Sequence, residues 1–137
     1  MRTLIAAVVA AFVIAAALPV LAAGPQESDF TPDSLKRFPN GALRSGVLAK
    51  PLLIQDVKCV PGMYVEFDDK GRLAMLDDIP PGVLVYGVPC AIAWFGANEG
   101  MQKCLLAKNH KIDGKKYKKD EYVTFDAGMP KATYVPE

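Results

Sequence analysis

Short segments of the chain alternate apolar with polar residues, and turns rich in acidic residues and glycine follow them. Residues 64–67 (Tyr-Val-Glu-Phe) and 122–125 (Tyr-Val-Thr-Phe) have this period of two, which is typical of a strand with one buried face. Asp-Asp-Lys-Gly at 68–71 favours a tight turn after the first segment. A second hairpin is predicted from strands at 90–95 and 101–106. Because no sustained helical period occurs beyond residue 23, we expect an all-β fold.

Aromatic residues and glycines recur at a nearly constant spacing along the chain. The phenylalanines are 29, 28 and 30 positions apart, and the glycines 30, 29 and 28. Segments 54–59, 85–90 and 112–117 align between them. The recurring residues are Phe38, Phe67, Phe95 and Phe125, with Gly41, Gly71, Gly100 and Gly128. Because a fixed period is typical of repeat proteins, we predict about three and a half tandem β-hairpin repeats.

The predicted repeats occupy residues 36–137 and form a meander or a partly closed barrel. Residues 38–43 are read as half a repeat whose partner strand is missing, as terminal repeats often are. Residues 24–35 are polar and contain two prolines, so we expect a flexible lead-in. Trp94, Phe95 and Met101 are expected to fill the core, because the sheet needs an apolar face.

The Phe-turn-Gly-x-Leu pattern of residues 38–43 and 67–73 resembles the short β-hairpin repeats of bacterial MORN-like proteins. In that family an aromatic residue, an acidic or Asn turn and a glycine recur along a sheet. Its members are mostly interaction scaffolds, so the resemblance implies binding rather than catalysis, and it assigns no catalytic residue.

Residues 1–23 have the pattern of a secretory signal. Met-Arg-Thr is followed by an uncharged run from Leu4 to Ala23, with small residues that suit cleavage after Ala22 or Ala23. We therefore predict a periplasmic or secreted protein. An uncleaved membrane anchor is the alternative, since about 20 apolar residues can just span a bilayer, and the protein would then contact the membrane only through this segment.

The charge of the chain without this segment is balanced. Arg2 accounts for the formal charge of +1, so the remaining residues carry no net charge. Such a protein has no overall field that attracts nucleic acid, and no nucleic-acid partner is expected.

Three cysteines in an exported protein predict one disulfide and one thiol. Cys90 and Cys104 lie nearly symmetrically about one predicted turn, and one bulge brings them face to face, close enough for a disulfide. Cys59 and Cys90, at equivalent repeat positions, are the alternative pair. No Cys-x-x-Cys motif is present to activate a thiolate, and the cysteines and His110 lack the close ligand spacing of zinc sites. We therefore predict neither a metal nor another cofactor.

The most uneven feature of the chain is a basic cluster around Tyr117. Beside an aromatic residue, such a cluster suits contacts with a polyanion such as lipopolysaccharide, anionic phospholipid or nucleic acid. Lysines also protect exposed sheet edges from aggregation, and we favour that interpretation. The cluster consists of Lys108, Lys111, Lys115, Lys116, Lys118 and Lys119.

No set of residues predicts an enzyme. His110 has no nucleophile motif near it, and the acidic pairs at 68–69 and 77–78 fall in predicted turns. We therefore expect a non-enzymatic binding or structural module of the bacterial cell envelope, with an unknown envelope protein or polyanion as its partner. A polyanion binder using the lysine cluster is the first alternative, and a small secreted hydrolase is the second.

Overall fold

The computed structural model describes residues 24–129, and their side chains to residue 125. The signal segment predicted over residues 1–23 lies outside them. The described residues form strands and two short 3₁₀ turns but no α-helix, so the all-β prediction is confirmed. The strands are β1 (Lys36–Arg37), β2 (Leu43–Val47), β3 (Leu52–Ile54), β4 (Val57–Cys59), β5 (Tyr64–Phe67), β6 (Leu73–Asp77), β7 (Cys90–Phe95), β8 (Met101–Leu106), β9 (His110–Ile112), β10 (Lys115–Tyr117) and β11 (Tyr122–Met129).

Seven strands form one antiparallel sheet in the order β1-β2-β5-β6-β7-β8-β11. Each strand lies beside the previous sheet strand in the chain, so the sheet is a meander. It has edges at β1 and β11, and residues 24–129 form no closed barrel. The predicted meander is therefore confirmed. The half repeat also has a partner strand, because the two residues of β1 pair with β2.

Three tight turns at one end of the sheet share the same hydrogen bonds. They span residues 38–42, 68–72 and 96–100. In each, the first N–H donates to the fifth carbonyl, and the fourth N–H donates to the first carbonyl. The fourth residue has positive φ in each turn, and it is Gly41, Gly71 or Glu99. Glycine adopts this conformation without steric cost, which explains Gly41 and Gly71 of the sequence pattern. Gly100 follows the positive-φ residue Glu99, and Gly128 lies in β11.

The other three connections of the sheet each contain a turn of two residues. Both turn residues have positive φ, at 55–56, 86–87 and 113–114, as in the type I′ turns whose twist suits a hairpin. Two of these turns join β3 to β4 and β9 to β10, so these connections are small hairpins. The pairs that close the turns are Ile54↔Val57, Val85↔Val88 and Ile112↔Lys115.

The core lies on one face of the sheet. A row of buried residues crosses six strands on this face, and the buried Ile54, Val57 and Ile112 of the small hairpins belong to the same apolar cluster. The small hairpins therefore contribute to the core beside the sheet. The row consists of Gly46, Val65, Leu76, Ala93, Cys104 and Val123.

The prediction of three core residues around the β7–β8 turn needs one correction. Phe95 and Met101 are buried, but Trp94 is half-buried and lies on the outer face of the sheet. The physical reason is the pleat, because neighbouring residues of a strand point to opposite faces. Ala93 and Phe95 point inward, so Trp94 points outward.

The segment at 24–35, for which the sequence predicts a flexible lead-in, contacts the sheet. Thr31 N–H donates to the Val47 carbonyl, and Ala49 N–H donates to the Asp29 carbonyl, both at 2.9 Å. Phe30 is 2% exposed, and its ring lies edge-on to Phe67 at 6.4 Å between centroids. These hydrogen bonds and the packing of Phe30 hold the segment against the core.

The predicted Cys90–Cys104 disulfide is present, with the two Cα atoms 5.7 Å apart. The two cysteines are not directly opposed, since Cys104 pairs with Ala93 and Cys90 with Leu106. The predicted face-to-face register is therefore wrong: an irregularity lies between Cys90 and Ile92, but Cys104 remains opposite Ala93. Cys59 is a buried free thiol.

Candidate functional site

The basic cluster folds into a hairpin, which we call the lysine hairpin (residues 108–119). Its strands β9 and β10 pair in register through Asp113 and Gly114, whose φ values are 49° and 80°. Glycine tolerates the second of these conformations at no steric cost. Asn109 Oδ1 accepts a hydrogen bond from Lys119 N–H at 2.8 Å, which links the two ends of the hairpin.

The hairpin register brings several of the predicted lysines together. Lys111 and Lys116 are direct cross-strand partners, and like charges in that position destabilise a hairpin. Lys115 lies over the Tyr117 ring, with Nζ 5.0 Å from the centroid. All six predicted lysines are exposed, so the lysine hairpin presents its charges to solvent.

A shallow groove of about 380 Å³ runs along the lysine hairpin. Its walls combine three lysines with an aromatic ring, an amide and an imidazole, a set that can contact anionic groups and hydrogen-bonding groups of one ligand. The lining residues are Asn109, His110, Lys111, Lys116, Tyr117 and Lys118.

His110 lies opposite Tyr117 in this groove. Burial lowers the pKa of His110 below its ordinary value, and the positive charge of Lys108 lowers this pKa further. The imidazole is therefore neutral at pH 7. In that state it can donate one hydrogen bond and accept another.

The hairpin of β3 and β4, 58 residues earlier, has the same register and the same kind of turn. Three of its side chains are buried: Ile54, Val57 and Cys59. At the corresponding positions of the lysine hairpin, Ile112 is buried, Lys115 is exposed and Tyr117 is half-buried. The same backbone therefore holds mainly core residues in one hairpin and a charged surface in the other.

The acidic pairs occur at turns and strand ends. Asp68 accepts hydrogen bonds from the N–H groups of Lys70 and Arg72 and from Arg72 Nε, at 2.8–2.9 Å. These bonds, chiefly the one from the Arg72 backbone, lower the pKa of Asp68 below its ordinary value. Asp77 ends β6, and its carboxylate accepts a hydrogen bond from Asp78 N–H. These observations give Asp68 a role in closing its turn.

The cysteines and His110 do not come together as a metal site. Within residues 24–129, no group of three or more His, Cys, Asp or Glu side chains is arranged to hold a metal ion. Burial raises the pKa of the Cys59 thiol to about 11, so it is not a reactive thiolate at neutral pH. In the same part of the chain, no helix is both long enough and apolar enough to cross a membrane.

A second cluster, which the sequence analysis missed, lies on the outer face of the sheet. We call it the aromatic platform (Trp94, Lys103 and Tyr122). Lys103 Nζ lies 5.2 Å from the Trp94 ring and 4.5 Å from the Tyr122 ring, and the two ring centroids are 6.0 Å apart. Its members come from three neighbouring strands, and finding them requires the register of β7, β8 and β11. The one signal in the sequence is that Trp94 and Tyr122 are each followed by an apolar residue. If that residue is buried, the alternation of a strand places the aromatic residue before it on the opposite face.

None of the protein-family models, curated proteins or solved structures compared with the chain matches it, so its resemblance to MORN-like repeats depends on the Phe-turn-Gly-x-Leu pattern alone.

Proposed function

We propose that the protein is a non-enzymatic binding module of the bacterial cell envelope, and that its lysine hairpin binds an anionic polymer. This proposal joins two of the functions expected from the sequence. The Cys90–Cys104 disulfide is consistent with an oxidising compartment outside the cytoplasm.

The difference between the two matching hairpins carries the proposal. Full burial of a valine contributes about 1.5–3 kcal/mol, and Val57 is 1% exposed in β4. The lysine hairpin has the exposed Lys115 at the corresponding place and lacks this contribution. Protection of a sheet edge does not require a lysine in place of a buried valine. The β3–β4 hairpin has the same backbone, buries Val57 and even leaves Leu53 62% exposed. Binding of an anionic ligand accounts for the exposed Lys115 at this position.

Electrostatics support an anion as that ligand. Lys111 and Lys116 are opposed across the hairpin, and an anion bound between them reduces their repulsion. The groove provides further partners in Lys118 and the neutral His110. Because these charges are exposed, their contribution to binding falls as the salt concentration rises.

The tandem architecture is the second part of the proposal. Backbone hydrogen bonds recur with an offset of 58 residues: Gly62 N–H donates to Leu48 O at 2.9 Å, and Asp120 N–H donates to Leu106 O at 3.0 Å. The sequences recur at the same offset, with Leu-Ala-Lys at 48–50 and 106–108 and Tyr-Val-x-Phe-Asp at 64–68 and 122–126. We infer two tandem units related by an offset of 58 residues, which equals two of the predicted repeats of about 29 residues.

The test compares two variants that change the same positions of the two units. Lys108→Gln/Lys116→Gln removes two charges from the lysine hairpin, and Lys50→Gln/Lys58→Gln removes two exposed charges 58 residues earlier. The probe is long-chain inorganic polyphosphate, with affinity measured by calorimetry at several salt concentrations. We expect the first variant to bind about tenfold more weakly and to reduce the slope of log K against log salt by about 1.4.

The Lys50→Gln/Lys58→Gln control should bind like the wild-type protein. Equal losses in both variants would mean that net charge alone, and not the lysine hairpin, attracts the polymer. Absent or salt-insensitive binding by the wild-type protein would refute the proposal. Vesicles containing anionic phospholipid and an oligothymidylate serve as further probes, and tighter binding of the oligothymidylate than of polyphosphate would also contradict it.

Export has its own test. Intact-mass analysis of protein recovered from the periplasm should give a mass that lacks the first 22 or 23 residues. A full-length protein in the membrane fraction would instead identify residues 4–23 as an anchor.

A further inference from the structure

The aromatic platform lies on the face of the sheet opposite the core. Trp94 and Lys103 are cross-strand partners on β7 and β8, and Tyr122 follows on β11, where it is 57% exposed. Lys103 Nζ lies within 5.2 Å of both ring centroids, a distance at which a cation is attracted to an aromatic face. Two rings and one cation therefore form a continuous surface across three strands.

The surroundings of the platform limit the kind of ligand that it suits. The row of residues that contains Trp94 and Lys103 crosses the whole sheet and carries two lysines and one glutamate. Nucleic acid and polyphosphate depend on several phosphate contacts for affinity, which this row does not supply. The exposed Thr124 next to Lys103 adds a hydroxyl group. The row consists of Lys36, Ser45, Glu66, Met75, Trp94, Lys103 and Thr124.

We propose that the aromatic platform binds a glycan whose sugar rings carry carboxylate groups. The apolar face of a pyranose packs on the exposed Tyr122 ring and beside the half-buried Trp94, because aromatic side chains combine a large apolar surface with a polar atom. The Lys103 ammonium binds the carboxylate through a charge-assisted hydrogen bond. The carboxylate approaches the Lys103 ammonium where it already lies, beside both rings.

The site contains its own spectroscopic probe, because Trp94 is the single tryptophan of the chain. A change in tryptophan fluorescence on adding a ligand therefore reports on this platform. The test titrates the whole protein with tetragalacturonate and with its methyl ester, which has the same rings without the charge. We expect saturable binding of the acid, and binding of the ester about tenfold weaker.

Three variants locate the binding site. Lys103→Gln should weaken binding of tetragalacturonate about tenfold, and Tyr122→Ala should weaken it about fivefold. Tyr64 lies 58 residues before Tyr122 on the same outer face, so Tyr64→Ala is the matched control and should bind within about twofold of the wild-type protein. Since Tyr122 is mostly exposed, its substitution tests the site without removing a core residue. Melting temperatures establish that each variant is folded.

Four results would overturn the inference. They are a fluorescence response that does not saturate, equal affinity for acid and ester, a Lys103→Gln variant that binds like the wild-type protein, and a larger Trp94 fluorescence response to oligothymidylate or lipid vesicles than to the glycan. The inference is separate from the proposed function, because Lys108→Gln/Lys116→Gln should leave the glycan titration unchanged. Either proposal can therefore fail while the other holds.

Discussion

Reduction of the Cys90–Cys104 disulfide should destabilise the domain by a predictable amount. The bond joins residues separated by 14 positions, and closing a loop of this length removes unfolded-state entropy worth about 3 kcal/mol at 25 °C. For a domain of this size, the loss corresponds to a fall in Tm of about 12–24 °C. Urea unfolding of the oxidised and reduced protein, followed by Trp94 fluorescence and far-ultraviolet circular dichroism, measures the difference.

The third cysteine is removed from this comparison by a Cys59→Ala background, so that thiol exchange cannot mix the pairings. Burial raises the pKa of Cys59 to about 11, so exchange is slow at neutral pH even without the substitution. In a Cys90→Ala/Cys104→Ala variant, reductant should have no effect. A difference between the oxidised and reduced forms below about 1 kcal/mol would refute the entropic argument. A peptide map showing a bond to Cys59 in the wild-type protein would refute the pairing.

Two further predictions concern the stability of the fold. Asp68→Asn should destabilise the protein at neutral pH. The difference in unfolding free energy from wild type should disappear as the pH falls from about 4 through the lowered folded pKa of Asp68, because a carboxylate with a lowered pKa stabilises the fold only while it is ionised. A difference in urea unfolding that does not change with pH would contradict this. Phe30→Ala should cost about 3–5 kcal/mol in urea unfolding, because a buried aromatic side chain leaves a cavity; a loss near zero would mean that residues 24–35 do not contribute to the core.

The two proposed sites differ in the physical basis of their affinity. The lysine hairpin depends on exposed charge, so its binding should respond strongly to salt. The aromatic platform depends on ring contacts and one ion pair, so its binding should respond weakly. A salt titration of each ligand therefore distinguishes them without any substitution.

Local sequence patterns were sufficient to predict much of the sheet. The strands at 90–95 and 101–106 and the disulfide between them followed from the turn and from the positions of the cysteines on either side of it, because hairpin partners are close in sequence. The exact register of this hairpin did not follow, because it contains two irregularities. The turn at 68–72 was equally predictable from Asp68 and Gly71. The lysine cluster was visible as composition, although composition did not show that Lys111 and Lys116 face each other.

The remaining features depend on contacts that no local pattern encodes. The Gln55–Asp56 turn places two non-glycine residues at positive φ. Positive φ is disfavoured for residues other than glycine. The packing of Ile54 and Val57 in the core supports this conformation of the two residues between them. The burial of Phe30 depends on Phe67, 37 residues away, and the aromatic platform depends on the register of three strands. The sequence by itself determined the strands, the tight turns and the charge, because neighbouring residues set them. The tertiary structure decided which face of the sheet each side chain occupies, because that depends on pairing between distant segments.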